Sequence, residues 1–336
     1  MKIVIIGCTG LVGNKILWLL QKRNFTYSEI VLIASENNYG KKQFVNNKSI
    51  KIITIDEFIN NMDDVPTIIF FASLKEISKK YIPLILNKNN KAWIIDNSSE
   101  FRLKDDIPLV IPEVNGHILT STNRLISNPN CSTAQLVMVL APLHKKYKIK
   151  RVVISTYQSV SGAGNMGIIQ LNNERVESMK MSTLYTKIDS PFCEKIDKNC
   201  IPFCDYLDSE SGYTGEEIKL EKETPKILES DIKISATAVR VPVEGGHSES
   251  VNIEFFNEYD LGEVVSILKN TKGVILKEKA CPRDVFLEED VWVSRVRRDF
   301  SQENTLNLWI VADNLMKGAS LNAVQIAETL VDKKYI

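Results

Sequence analysis

The chain begins MKIVIIGCTGLVGNK, a short apolar run followed by glycines at positions 7, 10 and 13. Lys2–Ile6 reads as a strand, and Val12–Gln21 repeats apolar residues at helical spacing. A strand that passes through a glycine-rich turn straight into a helix is the first half of a βαβ unit, and its parallel sheet needs cover on both faces. The alternation continues, with strands expected at Ile30–Ala34, Thr67–Phe71 and Ala92–Asp96 and a helix at Glu76–Asn87. The first third of the chain is therefore expected to be α/β, Rossmann-like and dinucleotide-binding.

The glycines are spaced G-x-x-G-x-x-G rather than G-x-G-x-x-G, yet they occupy the same junction, where backbone N–H groups meet a pyrophosphate. A glycine turn without a ligand is the competing reading; the position between the first strand and the first helix favours the cofactor. The next strand ends in IASENNYGKK, where Glu36 lies 23 residues after Gly13. That is near the spacing of about 20 at which a carboxylate accepts the ribose hydroxyls of NAD. A 2′-phosphate needs a cation instead, and Lys41 and Lys42 are the local ones. The residues leave NAD and NADP both open.

From Lys150 the pattern turns β-rich, with strands expected at Arg151–Tyr157, Lys233–Val241, Ser250–Phe256, Trp292–Arg298 and Leu306–Ala312. Helices are expected at about Met166–Met179 and Leu261–Lys269. This describes an α+β domain round a mixed sheet, with one face available to a second copy of the chain. The last stretch, MKGASLNAVQIAETLVDKK, is amphipathic and expected to return to the first domain. The expected partition is residues 1–128 with 314–336 for the dinucleotide, and residues 129–313 for catalysis and dimerisation.

Composition narrows the partners. Forty-two basic residues balance 42 acidic ones in 336, so no global field draws the chain to nucleic acid or an anionic membrane. No run approaches the length of a bilayer span. The N-terminal apolar run continues into an amphipathic helix without a small-x-small site, unlike a signal peptide. Six cysteines without a dense framework fit a reducing compartment, and the expectation is a soluble, cytoplasmic protein. Cys193, Cys200 and Cys204 lack a C-x-x-C pair, so no metal is expected there.

One cysteine stands apart. In SNPNCSTAQL, Cys131 sits among Asn128, Asn130, Ser132 and Thr133, all capping types, just before the helical pattern Ala134–His144. A helix N-terminus favours an anion and lowers a thiol pKa, which makes a nucleophile. A buried cap-region cysteine is the alternative. A thiolate needs a proton partner, and there are three histidines. His144 lies about three turns along the same helix, too far to touch the thiol. His117 falls in a turn, whereas His247 follows VRVPVEGG, where paired glycines allow a loop to approach closely. By elimination His247 is the base. A cysteine, a histidine and a nicotinamide together mean acyl transfer through a thioester with hydride transfer at the acyl carbon.

Eight stretches, GCTGLVG, DNSSEFR, PEVN, SNPNCST, STYQSVSGAG, EEIK, ATAVRVPVEGGHSES and DNLMKGAS, resemble in order and spacing those of aspartate-semialdehyde dehydrogenases. The resemblance implies reversible, NADP-dependent reductive dephosphorylation of L-4-aspartyl phosphate to L-aspartate 4-semialdehyde, in the biosynthesis of lysine (through diaminopimelate), methionine and threonine, by a homodimer. It makes Cys131 the acyl-bearing nucleophile, His247 the general acid/base and Gln158 the group that orients the acyl. It assigns Arg240 to the substrate carboxylate, Glu216 to its ammonium, and Arg102, Asn130 and Lys219 to phosphate. For the cofactor it implies Thr9, Gly10, Leu11 and Val12 at the phosphates, Ser161 and Gly162 near the nicotinamide, and Asn314 at the carboxamide.

Two departures from the family pattern bear on the cofactor. Asn37 and Asn38 stand where Arg-Ser is common, and Ala72-Ser73-Leu74-Lys75 replaces a Gly- or Pro-containing turn. With Glu36, they leave NAD in play. The alternatives are a sibling enzyme acting on N-acetyl-glutamyl phosphate, and a non-catalytic dinucleotide-binding relative. Glu216 and NPNCST argue against the first, and the presence of Cys131, Gln158, Arg240 and His247 against the second.

Overall fold

The computed structural model describes residues 1–179 and 190–336, which form two compact units, Met1–Asn130 with Ala319–Ile336 and Cys131–Gly318. The first unit starts with β1 (Lys2–Ile6), α1 (Leu11–Lys22), β2 (Glu29–Ile33), β3 (Lys42–Val45), β4 (Lys48–Ile53) and α2 (Ile55–Asn60). It continues with β5 (Thr67–Phe71), α3 (Lys75–Lys88), β6 (Ala92–Asp96), α4 (Pro112–Asn115) and β7 (Leu125–Ser127). The strands form one seven-stranded sheet in the order β3-β4-β2-β1-β5-β6-β7. β1 pairs in parallel with both β2 and β5. Every residue of β5 and β6 is buried, as expected for strands covered on both faces.

Two glycines of the opening motif carry a steric requirement. Gly7 has φ +87°, and a Cβ there would lie 2.2 Å from the Ala72 carbonyl oxygen; a Cβ on Gly13 would lie 2.2 Å from the Gly7 carbonyl oxygen. Gly10 caps α1 without a side-chain cap bond, and the first turn of that helix holds no acidic residue. This leaves a cradle of N–H groups suited to an anion.

The antiparallel edge hairpin β3–β4 was not expected from the sequence. Its strands, KQFV and KSIKII, carry little period-2 contrast. The signal that remained was Asn46-Asn47, which turns the hairpin with φ of 46° and 63°, the left-handed region that asparagine tolerates.

The second unit holds α5 (Cys131–Tyr147), β8 (Ile149–Gln158), α6 (Gly164–Met179), α7 (Gly215–Leu228), β9 (Lys233–Arg240), β10 (His247–Phe255) and α8 (Leu261–Lys269). It ends with β11 (Val274–Leu276), β12 (Val291–Arg298) and β13 (Thr305–Ala312). Its six strands form a mixed sheet in the order β11-β12-β13-β10-β8-β9, parallel at β8/β9 and β11/β12. Helix α5 is buried on most of its surface and packs on β8, β10 and β13 on one side and on α7 and α8 on the other. The chain closes with α9 (Leu321–Asp332), which packs on α1, α4 and β6 of the first unit.

Two boundaries differ from expectation in ways that matter. α5 begins at Cys131 itself rather than at Ala134. β10 begins at His247 rather than at Ser250, so His247 is a strand residue and not part of a glycine loop. The inward positions at the start of β10 are His247 and Glu249, and polar residues there hide the strand from a hydrophobicity pattern.

Candidate active site

Five element ends supply the polar and reactive groups of the second unit. α5 starts at Cys131, whose surroundings are tight: a Cβ on Gly318 would lie 2.8 Å from the Cys131 Cβ. Beside it, Ser132 accepts a hydrogen bond from Gln158 Nε2 at 3.0 Å. Gln158 is the last residue of β8 and is buried. The same amide donates to Glu216 Oε1 at 3.0 Å and reaches Thr156 Oγ1 at 3.3 Å.

Glu216 stands in the first turn of α7, whose start is fixed by its neighbour. Glu217 accepts the Thr214 N–H at 2.6 Å and the Ala238 N–H at 2.8 Å, which pins α7 to β9. Lys219 bonds to Glu216 at 3.1 Å and to Asp205 at 2.6 Å. Glu216 and Lys219 do form an i,i+3 ion pair, but the carboxylate of that pair is buried and tied to Gln158 rather than solvated.

Arg240 ends β9, in register with Gln158 of β8, so the two side chains share an end and a face of the sheet. It is buried, donates from Nη1 to the Ser159 carbonyl at 2.8 Å and lies 5.9 Å from the centre of the Phe192 ring. Its burial sets this arginine apart from a solvated surface ion-pair residue.

His247 opens β10 and is fully buried. Its Nδ1 accepts the Ser159 N–H at 3.1 Å and lies 3.0 Å from Ser159 Oγ. A backbone N–H only donates, so the neutral ring carries its proton on Nε2. That Nε2 has no hydrogen-bond partner. A Cβ on Gly162 would lie 2.6 Å from Arg240 Nη1 and 3.2 Å from His247 Nε2, so the guanidinium and the imidazole converge over a bare glycine. Burial first, and Arg240 second, push the His247 pKa down to about 3, against an upward pull from Glu216. The ring is neutral at physiological pH.

Asn314 fixes the same corner. Its Oδ1 accepts from Ser159 Oγ at 3.1 Å, Ser161 Oγ at 3.2 Å and the Gly246 N–H at 3.0 Å. Sequence reasoning missed Ser159 and also Gln135, which donates to the His247 carbonyl at 3.3 Å. Gln135 lies four residues after Cys131, one turn on along the same helix face, and that spacing is the signal that would have found it.

In the first unit, Thr9, Gly10, Leu11 and Val12 surround the start of α1. Asn37 and Asn38 lie in a short turn, Glu36–Asn38, after β2. Asn38 reaches Thr9 Oγ1 at 3.5 Å and accepts from Lys41 at 2.8 Å. The glycine cradle and the uncapped start of α1 fit a nicotinamide dinucleotide. Arg102 is buried and donates to the Asn97 carbonyl at 2.7 Å, and Asn130, also buried, directly precedes Cys131.

The remaining histidines and cysteines have other surroundings. His144 Nδ1 accepts the Ile149 N–H at 3.0 Å, and His117 is exposed. Burial pushes the Cys204 thiol up to about 11, and the Cys8 thiol likewise; Cys193 and Cys200 are exposed. Among the described residues, no three His, Cys, Asp or Glu side chains group to hold a metal. No helix among them is long and apolar enough to cross a membrane.

Comparison with known proteins adds the following. Residues 2–122 match a semialdehyde dehydrogenase NAD-binding domain, and residues 140–317 match a semialdehyde dehydrogenase dimerisation domain. The chain is 44% identical to an aspartate-semialdehyde dehydrogenase of Rickettsia bellii, covering 99% of this chain and 98% of that protein. The crystal structure of aspartate semialdehyde dehydrogenase II of Vibrio cholerae, complexed with ASA, superposes with a TM-score of 0.92 at 38% identity over 98% of each chain. The enzyme of Candida albicans, solved with NADP, shares the fold, with a TM-score of 0.74 at 24% identity over 100% of this chain and 99% of that one. The sequence motifs, the Rossmann-type and dimerisation units and these full-length matches agree: the chain belongs to the aspartate-semialdehyde dehydrogenase family, a family of oxidoreductases.

Proposed function

We propose that this oxidoreductase is a cytoplasmic homodimer that interconverts L-aspartate 4-semialdehyde and L-4-aspartyl phosphate through a thioester on Cys131, in the biosynthesis of lysine, methionine and threonine. The observation that carries the reading is the joint placing of Gln158, Arg240 and His247 at the ends of three neighbouring strands, under the helix that begins at Cys131. In the oxidative direction the Cys131 thiolate adds to the aldehyde carbon. Loss of hydride from that carbon restores the carbonyl as a thioester. A phosphate oxygen then attacks the acyl carbon and the thiolate leaves, giving the acyl phosphate. A bound nicotinamide dinucleotide supplies the chemistry of accepting and returning the hydride.

The chain's own groups have separable tasks. His247 presents Nε2–H to the acyl oxygen, where a hydrogen bond is worth most as negative charge develops. The substrate carboxylate pairs with Arg240 through a planar fork and offsets the smaller of the two causes that lower the His247 pKa. Burial, the larger cause, remains with substrate bound, so His247 acts through its neutral Nε2–H, with Nδ1 held by the Ser159 N–H. Gln158 orients the acyl group, and Glu216 meets the substrate ammonium. Arg102, Asn130 and Lys219 bind phosphate. Ser161, Gly162 and Asn314 face the nicotinamide, and Thr9, Gly10, Leu11 and Val12 the pyrophosphate.

The cofactor is NADP with relaxed preference. Glu36 and Asn37 favour ribose hydroxyls, whereas Lys41 and Lys42 offer the charge a 2′-phosphate needs. One assay tests the whole reading: semialdehyde and inorganic phosphate with NAD or NADP, following the reduced nicotinamide. Turnover dependent on phosphate, with kcat/KM for the two cofactors within about tenfold, equal to about 1.4 kcal/mol, is expected. Absence of phosphate-dependent turnover defeats the reaction, and a large preference for NADP defeats the cofactor assignment.

A further inference from the structure

Two residues along β10 from His247, on the same face of the sheet, lies Glu249, fully buried. Neither of its carboxyl oxygens has a hydrogen-bond partner, and neither does the side-chain oxygen of Gln135. The register places Thr156 of β8 and Ile310 of β13 directly opposite it, so these side chains share its face. α5 covers that face with Gln135, the residue that donates to the His247 carbonyl. Burial first raises the pKa of the Glu249 carboxyl, and the Gln135 amide, second, pulls it down. The arrangement therefore runs from Glu249 to the Gln135 amide and on to the main chain of His247, beside the helix turn that holds Cys131.

We infer that Glu249 is a positioning residue, which sets the Gln135 amide and through it the His247 main chain for the reaction. The chemistry follows from the donor count. An ionised carboxylate at this place would leave two buried acceptor oxygens without a hydrogen-bonded donor, a costly way to bury a charge. A carboxylic acid supplies one donor and keeps an acceptor, so it can bond to both ends of a primary amide. The titratable and charged groups on this side of the sheet include His247 on the same strand, Arg240 at the end of β9, Cys131 at the start of α5, and Glu216 and Glu217 on α7. None of them is among the causes acting on Glu249; burial holds its pKa well above the usual carboxylate range.

The inference rests on the catalytic role proposed for His247, and its test separates the two. Wild type, Glu249→Gln and Glu249→Leu are compared for kcat and KM for the semialdehyde, and for Tm between about pH 5 and pH 8.5. Glutamine keeps a neutral donor and acceptor of the same shape, so its kcat is expected within about threefold of wild type. Leucine is expected to lower kcat by about 10- to 100-fold, the range for small misplacement of a catalytic group, with KM within about twofold. A raised folded pKa contributes stability below the unfolded value that is lost as pH rises. The Tm of Glu249→Gln should therefore exceed that of wild type increasingly towards alkaline pH, and the gap should close on acidification.

Equal loss of kcat in both variants would show that an ionised carboxylate is needed and overturn the inference, as would full kcat in Glu249→Leu. Should that variant fail to fold, Gln135→Met takes its place: a fall in kcat with KM held supports the relay, and an unchanged kcat overturns it. If wild type itself turns over no semialdehyde, the functional reading fails, while the Tm comparison still reports on the carboxyl.

Discussion

His247 combines a ring with no titratable hydrogen-bond partner and a guanidinium converging on the same glycine. Burial and Arg240 depress its pKa from 6.5 to about 3. A depressed pKa contributes stability that is present above the unfolded value and is lost as pH falls towards the folded one. The limit is roughly 5 kcal/mol, from about 1.4 kcal/mol per unit. His247→Gln should remove this acid sensitivity: its Tm should rise relative to wild type between about pH 7 and pH 4, measured by differential scanning calorimetry. An unchanged difference across that range contradicts a neutral buried imidazole. Glu249 titrates with the opposite sign, so the variants separate two effects that offset each other in wild type. Cys131 and His247 stood out in the sequence as candidates because each sits in a short motif of polar or glycine residues beside a helix or strand start. Gln135 and Glu249 did not, since a glutamine on an apolar helix and a glutamate in a strand read as surface until burial is known.

At the scale of elements, the first strand, turn and helix were legible because their pattern is local: the strand reading at Lys2–Ile6 and the helix reading at Val12–Gln21 fall on β1 and α1. Thr67–Phe71, Ala92–Asp96 and Leu261–Lys269 match β5, β6 and α8 end to end. The edge hairpin and the start of β10 escaped, one because its strands are charged and the other because its inward residues are polar. α7 escaped too: GEEIKLEKETPKIL has a charged composition and a proline, and its position is fixed by Glu217 bonding back to β9, a tertiary contact. Steric demand at the α1 junction makes the next prediction. A Cβ at Gly13 would meet the Gly7 carbonyl oxygen, a backbone atom that moves only with the whole turn. Gly13→Ala should weaken dinucleotide binding by at least about tenfold and cost about 1–3 kcal/mol of stability. Fluorescence titration with reduced nicotinamide and thermal unfolding check this, and unimpaired binding contradicts the cradle.

For the whole molecule, the change from strand-helix alternation to β-rich segments made the Rossmann-type and dimerisation-domain parts legible, while one chain's pattern does not say which face would meet a second copy. The face of the second sheet away from α5 carries Tyr157 and Trp309, with ring centres 5.3 Å apart, and Tyr157 is exposed. A homodimer through this face should give twice the 38.0 kDa chain mass in light scattering. Tyr157→Glu should shift the population towards monomer; a wild-type monomer at micromolar concentration contradicts the proposed assembly. The central claim, that Cys131 carries the acyl group, is tested most directly by mass spectrometry of the enzyme incubated with semialdehyde and oxidised cofactor without phosphate. The account predicts an aspartyl adduct on the Cys131 peptide that phosphate or hydroxylamine removes and that Cys131→Ser lacks. An adduct on another cysteine, or an active Cys131→Ser enzyme, would contradict it.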